Sequence, residues 1–376
     1  MKSAETPEPR DRSGFDVPSP ASFARTTLPG RVVFGNGTLN QLAPELDGER
    51  RHRAMLIVSA RQRELADRGR SALGHVMALE WNEVRQHVPR DLAERATAAA
   101  TTADIDAIVA LGGGSTVGLG KAVAVHTGLP LVAVPTTYSG SEMTPIYGLT
   151  SGNHKKTARD PAALPKIVVY DPQLMTALPP SIVGPSGMNA LAHCVEALWA
   201  TNHDPITDAL ALDGAARLQR FLPKAYTTTD LAPRGEVLIA ACLAGTALGT
   251  VGSSVHHALC HLFGGMYDTP HAETHAIVLP YVIRYLEPAI PDTVARLAEA
   301  MKCDPAELAE NIWALARSVG TPPGLRAIGL TKNQTDAVAE EAVAKHLVSP
   351  RPLELRSLRA MLREAWSGEP PRTTRE

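Results

Sequence analysis

Hydrophobic positions along the chain fall into two textures. From about residue 30 to 178, short apolar runs rich in β-branched residues alternate with stretches of helical spacing. The runs are RVVFG (31–35), AMLIVSA (54–60), AIVALGGG (107–114), LVAVPTT (131–137) and KIVVYD (166–171). The last three are almost unbroken strings of apolar residues, as expected of parallel strands buried on both faces. Helical patterns such as DLAERATAAATTA lie between them. Alternation of this kind predicts a doubly wound parallel sheet, a Rossmann-like α/β domain, over residues 29–179.

After Leu178-Pro179-Pro180 the strand signal stops. ALAHCVEALWA, ITDALALDGAARLQRFL, GEVLIAACLAGTALGTV and TVARLAEAMK all place apolar residues three or four apart. DPAELAENIWALARSVG adds an Asp N-cap, a Pro at the first helical position and a closing Gly. An all-α domain is therefore expected over 180–368. Residues 1–28 and 369–376 are polar and proline-rich and read as flexible tails. A site in such a chain is expected in the cleft between the domains.

Composition narrows the function classes. A net charge of −2 and 4% aromatic residues give no basis for a nucleic-acid partner or an anionic membrane surface. Cys194, Cys242, Cys260 and Cys303 form no CxxC pair. The N-terminus carries no apolar signal-peptide core, and no uninterrupted apolar stretch reaches the ~18–20 residues of a membrane span. The expectation is a cytoplasmic protein with reduced thiols, acting on a small molecule.

Gly112-Gly113-Gly114-Ser115 follows a buried strand directly and precedes a helix. Glycines there let the backbone approach a ligand, and amides at a helix N-terminus favour phosphate oxygens. The loop is neither a Walker sequence nor GxGxxG, because Val117 stands at the last position. The next strand delivers Thr136, Thr137, Tyr138, Ser139 and Ser141 to the same sheet edge, where hydroxyls suit a ribose or carboxamide. Ser59, at the end of the second run, joins the cofactor-binding candidates. Arg61 and Arg63 follow it and suit a 2′-phosphate, but NADH and NADPH both remain open.

Thirteen histidines are present, and five of them fall between 256 and 275. His257 and His261 are spaced i, i+4 on one expected helix, as are Asn189 and His193 on another. His271 is expected in the turn MYDTPHAE. This is the layout of a divalent metal site, with neutral Asn189 where a carboxylate ligand would stand. A metal-free cluster also works chemically, because imidazoles can donate a proton to an atom gaining electron density.

At these residues the chain resembles the iron-containing alcohol dehydrogenase superfamily, and most closely its maleylacetate reductase branch. The carrying motifs are RVVFGNGTL, ALGGGSTVGLGKAVAV, VPTTYSGSEMTPI, LPKIVVYDPQL, SGMNALAHCVEAL, HHALCHLFGGMYDTPHAETHAIVLP and SPRPLELRSLRAML, spanning roughly residues 28–368. The resemblance implies a dehydroquinate synthase-like, two-domain fold. It implies that Gly112, Gly113, Gly114 and Ser115 hold a pyrophosphate, that Thr136, Thr137, Tyr138 and Ser141 line ribose and nicotinamide, and that Lys155 contacts the cofactor. In metal-dependent relatives the ligands would fall at Asn189, His193, His257 and His271, with His261 beside the substrate. Those relatives carry Asp at the positions of Asn189 and Gly118, and the reductase branch does not. The branch typically reads HHKLCH where this chain has Ala258, and His and Asn where it has Tyr281 and Leu286, departures that the resemblance places around the substrate end of the cleft.

The resulting expectation is an NADH- or NADPH-dependent reductase of maleylacetate or a related oxo-acid or enone, without metal, and homodimeric by resemblance. His193, His257 and His271 would hold and polarise the substrate, and His261 or Tyr138 would supply the proton. The alternatives are a metal-dependent alcohol dehydrogenase, a lyase like dehydroquinate synthase, and a non-catalytic cofactor-binding protein.

Overall fold

The α/β half runs β1 (Arg31–Phe34), α1 (Leu42–Gly48), β2 (Ala54–Ile57), α2 (Arg63–Leu73), β3 (Met77–Trp81), α3 (Arg90–Thr102), β4 (Ala107–Gly112), α4 (Gly114–Thr127) and β5 (Leu131–Pro135). A hairpin follows, β6 (Ile146–Ser151) and β7 (His154–Arg159), and then β8 (Ile167–Tyr170) and the short α5 (Pro172–Met175). The computed structural model describes residues 30–151 and 154–371. The expected N-terminal tail, 1–28, lies outside the described residues, as do 372–376 of the C-terminal one.

Six strands form one parallel sheet in the order β1-β8-β5-β4-β2-β3. β4 is fully buried because both of its faces are covered. Ala107, Val109 and Leu111 point into a core with Leu56, Ala66 and Leu73, on the side of α2. Ile108 and Ala110 point into a second core with Leu119, Ala122 and Val123 of α4. The period of two therefore sends α2 and α4 to opposite faces. The chain leaves β2 toward β3 and leaves β4 toward β5, in opposite directions. The carboxyl ends of neighbouring β2 and β4 thus form a switch point, where α/β sheets bind ligands.

The five apolar runs all became strands of this sheet. β3 and the β6–β7 hairpin carry no comparable run. β3 is an edge strand that is mostly half-buried, and the hairpin forms its own two-stranded sheet with the polar sequence HKKTAR on one arm. Neither needs apolar residues on both faces, so neither shows the signal by which the other strands are read.

The second half is helical: α6 (Pro180–Ala197), α7 (Pro205–Thr227), α8 (Leu231–Val251), α9 (Val255–Tyr267), α10 (His271–Leu286), α11 (Pro291–Met301), α12 (Leu308–Ser318), α13 (Lys332–Ala344) and α14 (Leu355–Ser367). α8 is long and apolar enough to cross a membrane by length and composition, but it packs against α6 and α7. Asp304 caps as expected, accepting the Ala306 amide at 2.8 Å. It starts a 3-10 turn over Pro305–Glu307, from which α12 continues.

One buried cation joins the halves, and a second fixes the loop that touches both. The Arg234 guanidinium on α8 donates to the carbonyls of Met175, Leu178 and Thr228, clamping the segment that leads from α5 into α6. Lys121 on α4 is fully buried, and its ammonium donates to the carbonyls of Ser141 (2.5 Å), Thr144 (2.8 Å) and Ile146 (2.8 Å). Burial pushes the lysine down from its ordinary range, and the neighbouring Glu142 opposes that shift. Glu142, itself buried, accepts the Tyr170 hydroxyl at 2.8 Å. From the other side, Gly140 (φ +67°) lies against Gly245 of α8, where a Cβ would collide with the Gly140 carbonyl oxygen. The loop after β5 is thus held from below, beside and above.

Replacing Lys121 with methionine takes the ammonium from those carbonyls, of which Ser141 keeps the Thr144 amide and hydroxyl, and leaves Glu142 without its cation. We expect a loss of about 3–5 kcal/mol of unfolding free energy, measured by urea denaturation. A loss below about 1 kcal/mol would show that the ammonium does not hold the loop.

Candidate active site

Three helices deliver the histidines. On α6, Asn189, His193 and Glu196 recur at spacings of four and three, so they share one face, and all are buried. α9 carries His256, His257 and His261. α10 carries His271 and His275. His271 was expected in a turn, but Pro270 ends that turn and His271 opens the helix itself. It therefore stands one helical turn from His275, and the cluster contains a further i, i+4 pair.

The rings form a continuous string. His193 and His257 lie nearly parallel with centroids 5.1 Å apart. His257 and His271 each approach His275 to 4.4 Å. His271 stacks on His261 at 5.9 Å. His256 Nε2 and His275 Nδ1 are hydrogen-bonded at 2.9 Å. The string runs from fully buried His256 and His275 to half-buried His271 and exposed His261. Burial pushes His193, His256 and His275 well below the usual imidazole range, and neighbouring imidazoles push the same way. These three rings are neutral at physiological pH, so they offer hydrogen bonds rather than positive charge.

Glu196 was not singled out from the sequence, yet it organises the cluster. It is completely buried, and one carboxylate oxygen accepts the backbone amides of His256 (2.9 Å) and His257 (3.3 Å). Its other oxygen bonds His257 Nδ1. The signal was present in SGMNALAHCVEAL: a lone carboxylate three residues after His193, inside an otherwise apolar helix. Such a group must find donors when buried.

Five polar atoms of the cluster have no partner: Asn189 Oδ1, His193 Nδ1, His256 Nδ1, His257 Nε2 and His275 Nε2. Unsatisfied buried atoms in a cleft ask for a ligand. The positions inherited from metal-dependent relatives fit a divalent ion poorly. The ring nitrogens that come within 4.8 Å of one another are those of His256, His257 and His275, without His193 or His271. The carboxylate within the cluster, Glu196, turns its oxygens to α9 instead. A Cβ at Gly118 would stand 3.1 Å from Val88 Cγ2, so an aspartate there needs that valine to move.

On the sheet side, Gly112, Gly113, Gly114 and Ser115 lie at the carboxyl end of β4 and the start of α4, whose N-terminus has no side-chain cap. A Cβ on Gly113 would press on Thr137 Cγ2 at 3.0 Å, so the two loops abut. This uncapped cradle fits a pyrophosphate. Ser59 sits just past the end of neighbouring β2, its hydroxyl accepting the Arg61 amide at 3.4 Å. After β5 the chain alternates: Thr137, Ser139 and Ser141 are half-buried, while Thr136 and Tyr138 are buried. Tyr138 and Thr136, expected to line the cofactor, turn inward. The Tyr138 hydroxyl has no partner, and burial raises its pKa. Lys155 lies on β7 opposite Thr150, and its side chain is outside the described residues.

Ala258 is half-buried on α9, next to His257. Tyr281 and Leu286, expected at the substrate end of the cleft, are elsewhere. They stand on α10 about 15 and 22 Å beyond His271 along the helix axis. The Tyr281 hydroxyl donates to the Glu369 carbonyl at 2.6 Å, and Leu286 is part of the helical core. The resemblance had placed them at the substrate end of the cleft.

The chain is similar to known proteins over most of its length. Residues 29–172 match the family model described as iron-containing alcohol dehydrogenase, and residues 184–366 match its C-terminal counterpart. The chain is 43% identical over 351 residues to maleylacetate reductase 2 of Cupriavidus pinatubonensis (strain JMP 134 / LMG 1197), covering 93% of this chain and 98% of that one. Among solved structures, a putative alcohol dehydrogenase from Ralstonia eutropha JMP134 superposes with a TM-score of 0.91 at 41% identity, covering 94% of this chain and 100% of that one. The maleylacetate reductase of Rhizobium sp. strain MTP-10005 gives 0.89 at 40% identity, covering 93% and 99%.

The lowered histidines make stability depend on pH. Their pKa values are depressed in the folded state, so the unfolded chain binds more protons once pH falls below about 6.5. Stability is complete above that value and is lost as pH falls toward the folded values. Each such group contributes a slope of up to about 1.4 kcal/mol per pH unit. Thermal melting followed from pH 7.5 to 5 should fall steeply below about 6.5, and His275→Gln should flatten the slope. An unchanged slope in the variant would contradict the assignment.

Proposed function

From the premise that the chain belongs to the iron-containing alcohol dehydrogenase family, and is an oxidoreductase using a nicotinamide cofactor, we propose that it reduces maleylacetate or a closely related oxo-enoic diacid without a metal ion. The product is of the 3-oxoadipate type, which places the enzyme in the breakdown of aromatic compounds. The observation that carries the reading is the histidine cluster itself: imidazoles and a neutral Asn189, with its one carboxylate, Glu196, turned away from the cleft.

Reduced nicotinamide, when bound, supplies a hydride to the alkene carbon remote from the ketone. The Gly112–Ser115 cradle and the hydroxyls of Thr137 and Ser141 orient the cofactor over the cleft. His193, through Nδ1, and His271 hold the ketone oxygen as the alkene electrons move onto it, and His257 lines the same face. The carbon next to the ketone then takes a proton. His261, exposed on α9, is the better source; buried Tyr138, with its raised pKa, is the poorer one. Exposed Arg61 and Arg63 support NADPH, and Val32 and Phe34, exposed on the edge strand β1, support a homodimer.

Steady-state oxidation of NADH and NADPH against maleylacetate, saturated 3-oxo diacids and simple aldehydes tests the reading. Turnover is expected with the enone diacid, with net consumption of reduced cofactor. Activity confined to simple aldehydes or alcohols would overturn it. Ala258→Lys adds a half-buried cation beside His257, and about 1 kcal/mol of pairing, or fivefold in kcat/KM, should favour the diacid.

A further inference from the structure

We propose that Glu196 is a positioning residue for this reaction: it holds the His257 ring as the Nδ1–H tautomer, so that Nε2 presents a lone pair within the cluster. The inference concerns the same cluster as the proposed reaction and rests on that reading for its catalytic consequence only. The hydrogen-bond arithmetic at Glu196 carries it.

α9 begins after Ser254, whose side chain does not cap it. The exposed amides at its start are instead taken by Glu196, reaching across from α6. One oxygen accepts from His256 and His257 at 2.9 and 3.3 Å. That oxygen faces two backbone N–H groups, which are donors in every protonation state. The other oxygen faces His257 Nδ1. A carboxylate only accepts, so Nδ1 must carry hydrogen. The neutral ring then has none on Nε2, the buried atom that lacks a partner and lies in the cluster.

His257 is an acceptor within the cluster, suited to hold a water or an N–H donor against the substrate. One buried carboxylate performs two tasks, terminating a helix and selecting a tautomer. The position of the ring is tied to the helix start, because both bonds end on the same residue.

Glu196→Gln separates these tasks. The variant's amide oxygen still satisfies the two backbone amides, whereas its amide nitrogen would clash with them as donor against donor. The nitrogen is thus forced to face His257 Nδ1, which must accept, and the hydrogen moves to Nε2. Nitrogen-15 NMR of histidine-labelled full-length protein at alkaline pH, with His257 assigned by comparison with His257→Gln, reads the tautomer directly. We expect Nδ1–H in the native chain and Nε2–H in Glu196→Gln. With NADH and maleylacetate, kcat should fall about 10- to 100-fold, as for other residues that orient an active imidazole, while the Kd for NADH changes less than about twofold. An Nε2–H or doubly protonated ring in the native chain overturns the proposal even if the variant fails to fold. An unchanged tautomer in a folded variant, or an unchanged kcat, also overturns it. The tautomer measurement needs no substrate, so failure of the maleylacetate reading would leave it standing.

Discussion

A carboxylate buried without water must meet donors, and Glu196 meets three of them from a single turn of another helix. That constraint fixes α6 against the start of α9. Asn189 and His193 lie on the same face of α6 as Glu196, so the contact also sets how they approach His257. α10 packs on both helices and brings His275 between His257 and His271. Six imidazoles from three helices become one string because one charge has a single satisfactory position.

The sheet contributes the other wall by a different physical route. β4 is buried on both faces, so the crossovers on either side of it diverge, and a crevice opens where they part. The glycines at the end of β4 leave the start of α4 bare. The polar loop after β5 is brought beside it by the buried Lys121 ammonium and by backbone contact with α8. That loop thus touches both halves of the chain.

Much of this was legible in the sequence, for identifiable reasons. Strands buried on both faces announce themselves as unbroken apolar runs, and those five were read. β3 and the polar hairpin escape because their exposed sides accept any residue. The glycine loop and the histidines were visible because such residues rarely gather without cause. Glu196 was not read, because a single carboxylate in a helix ordinarily faces water, and its apolar neighbours were the sign that this one does not. Tyr281 and Leu286 illustrate the opposite error: both lie on the helix that begins at His271, but a helix carries its residues away from the site at about 1.5 Å each. Thr136 and Tyr138 share a loop with Thr137 and Ser141 yet alternate inward, which loop composition alone does not reveal.

In the proposed reaction an imidazole cluster reduces its substrate with no metal ion. The most direct measurement is turnover of NADH or NADPH with maleylacetate by protein stripped with a chelator, with metal content quantified in the same sample by elemental analysis. The account requires full activity at a metal content far below one ion per active site, and no gain on adding iron or zinc. Activity that disappears on stripping and returns in proportion to bound metal would contradict it.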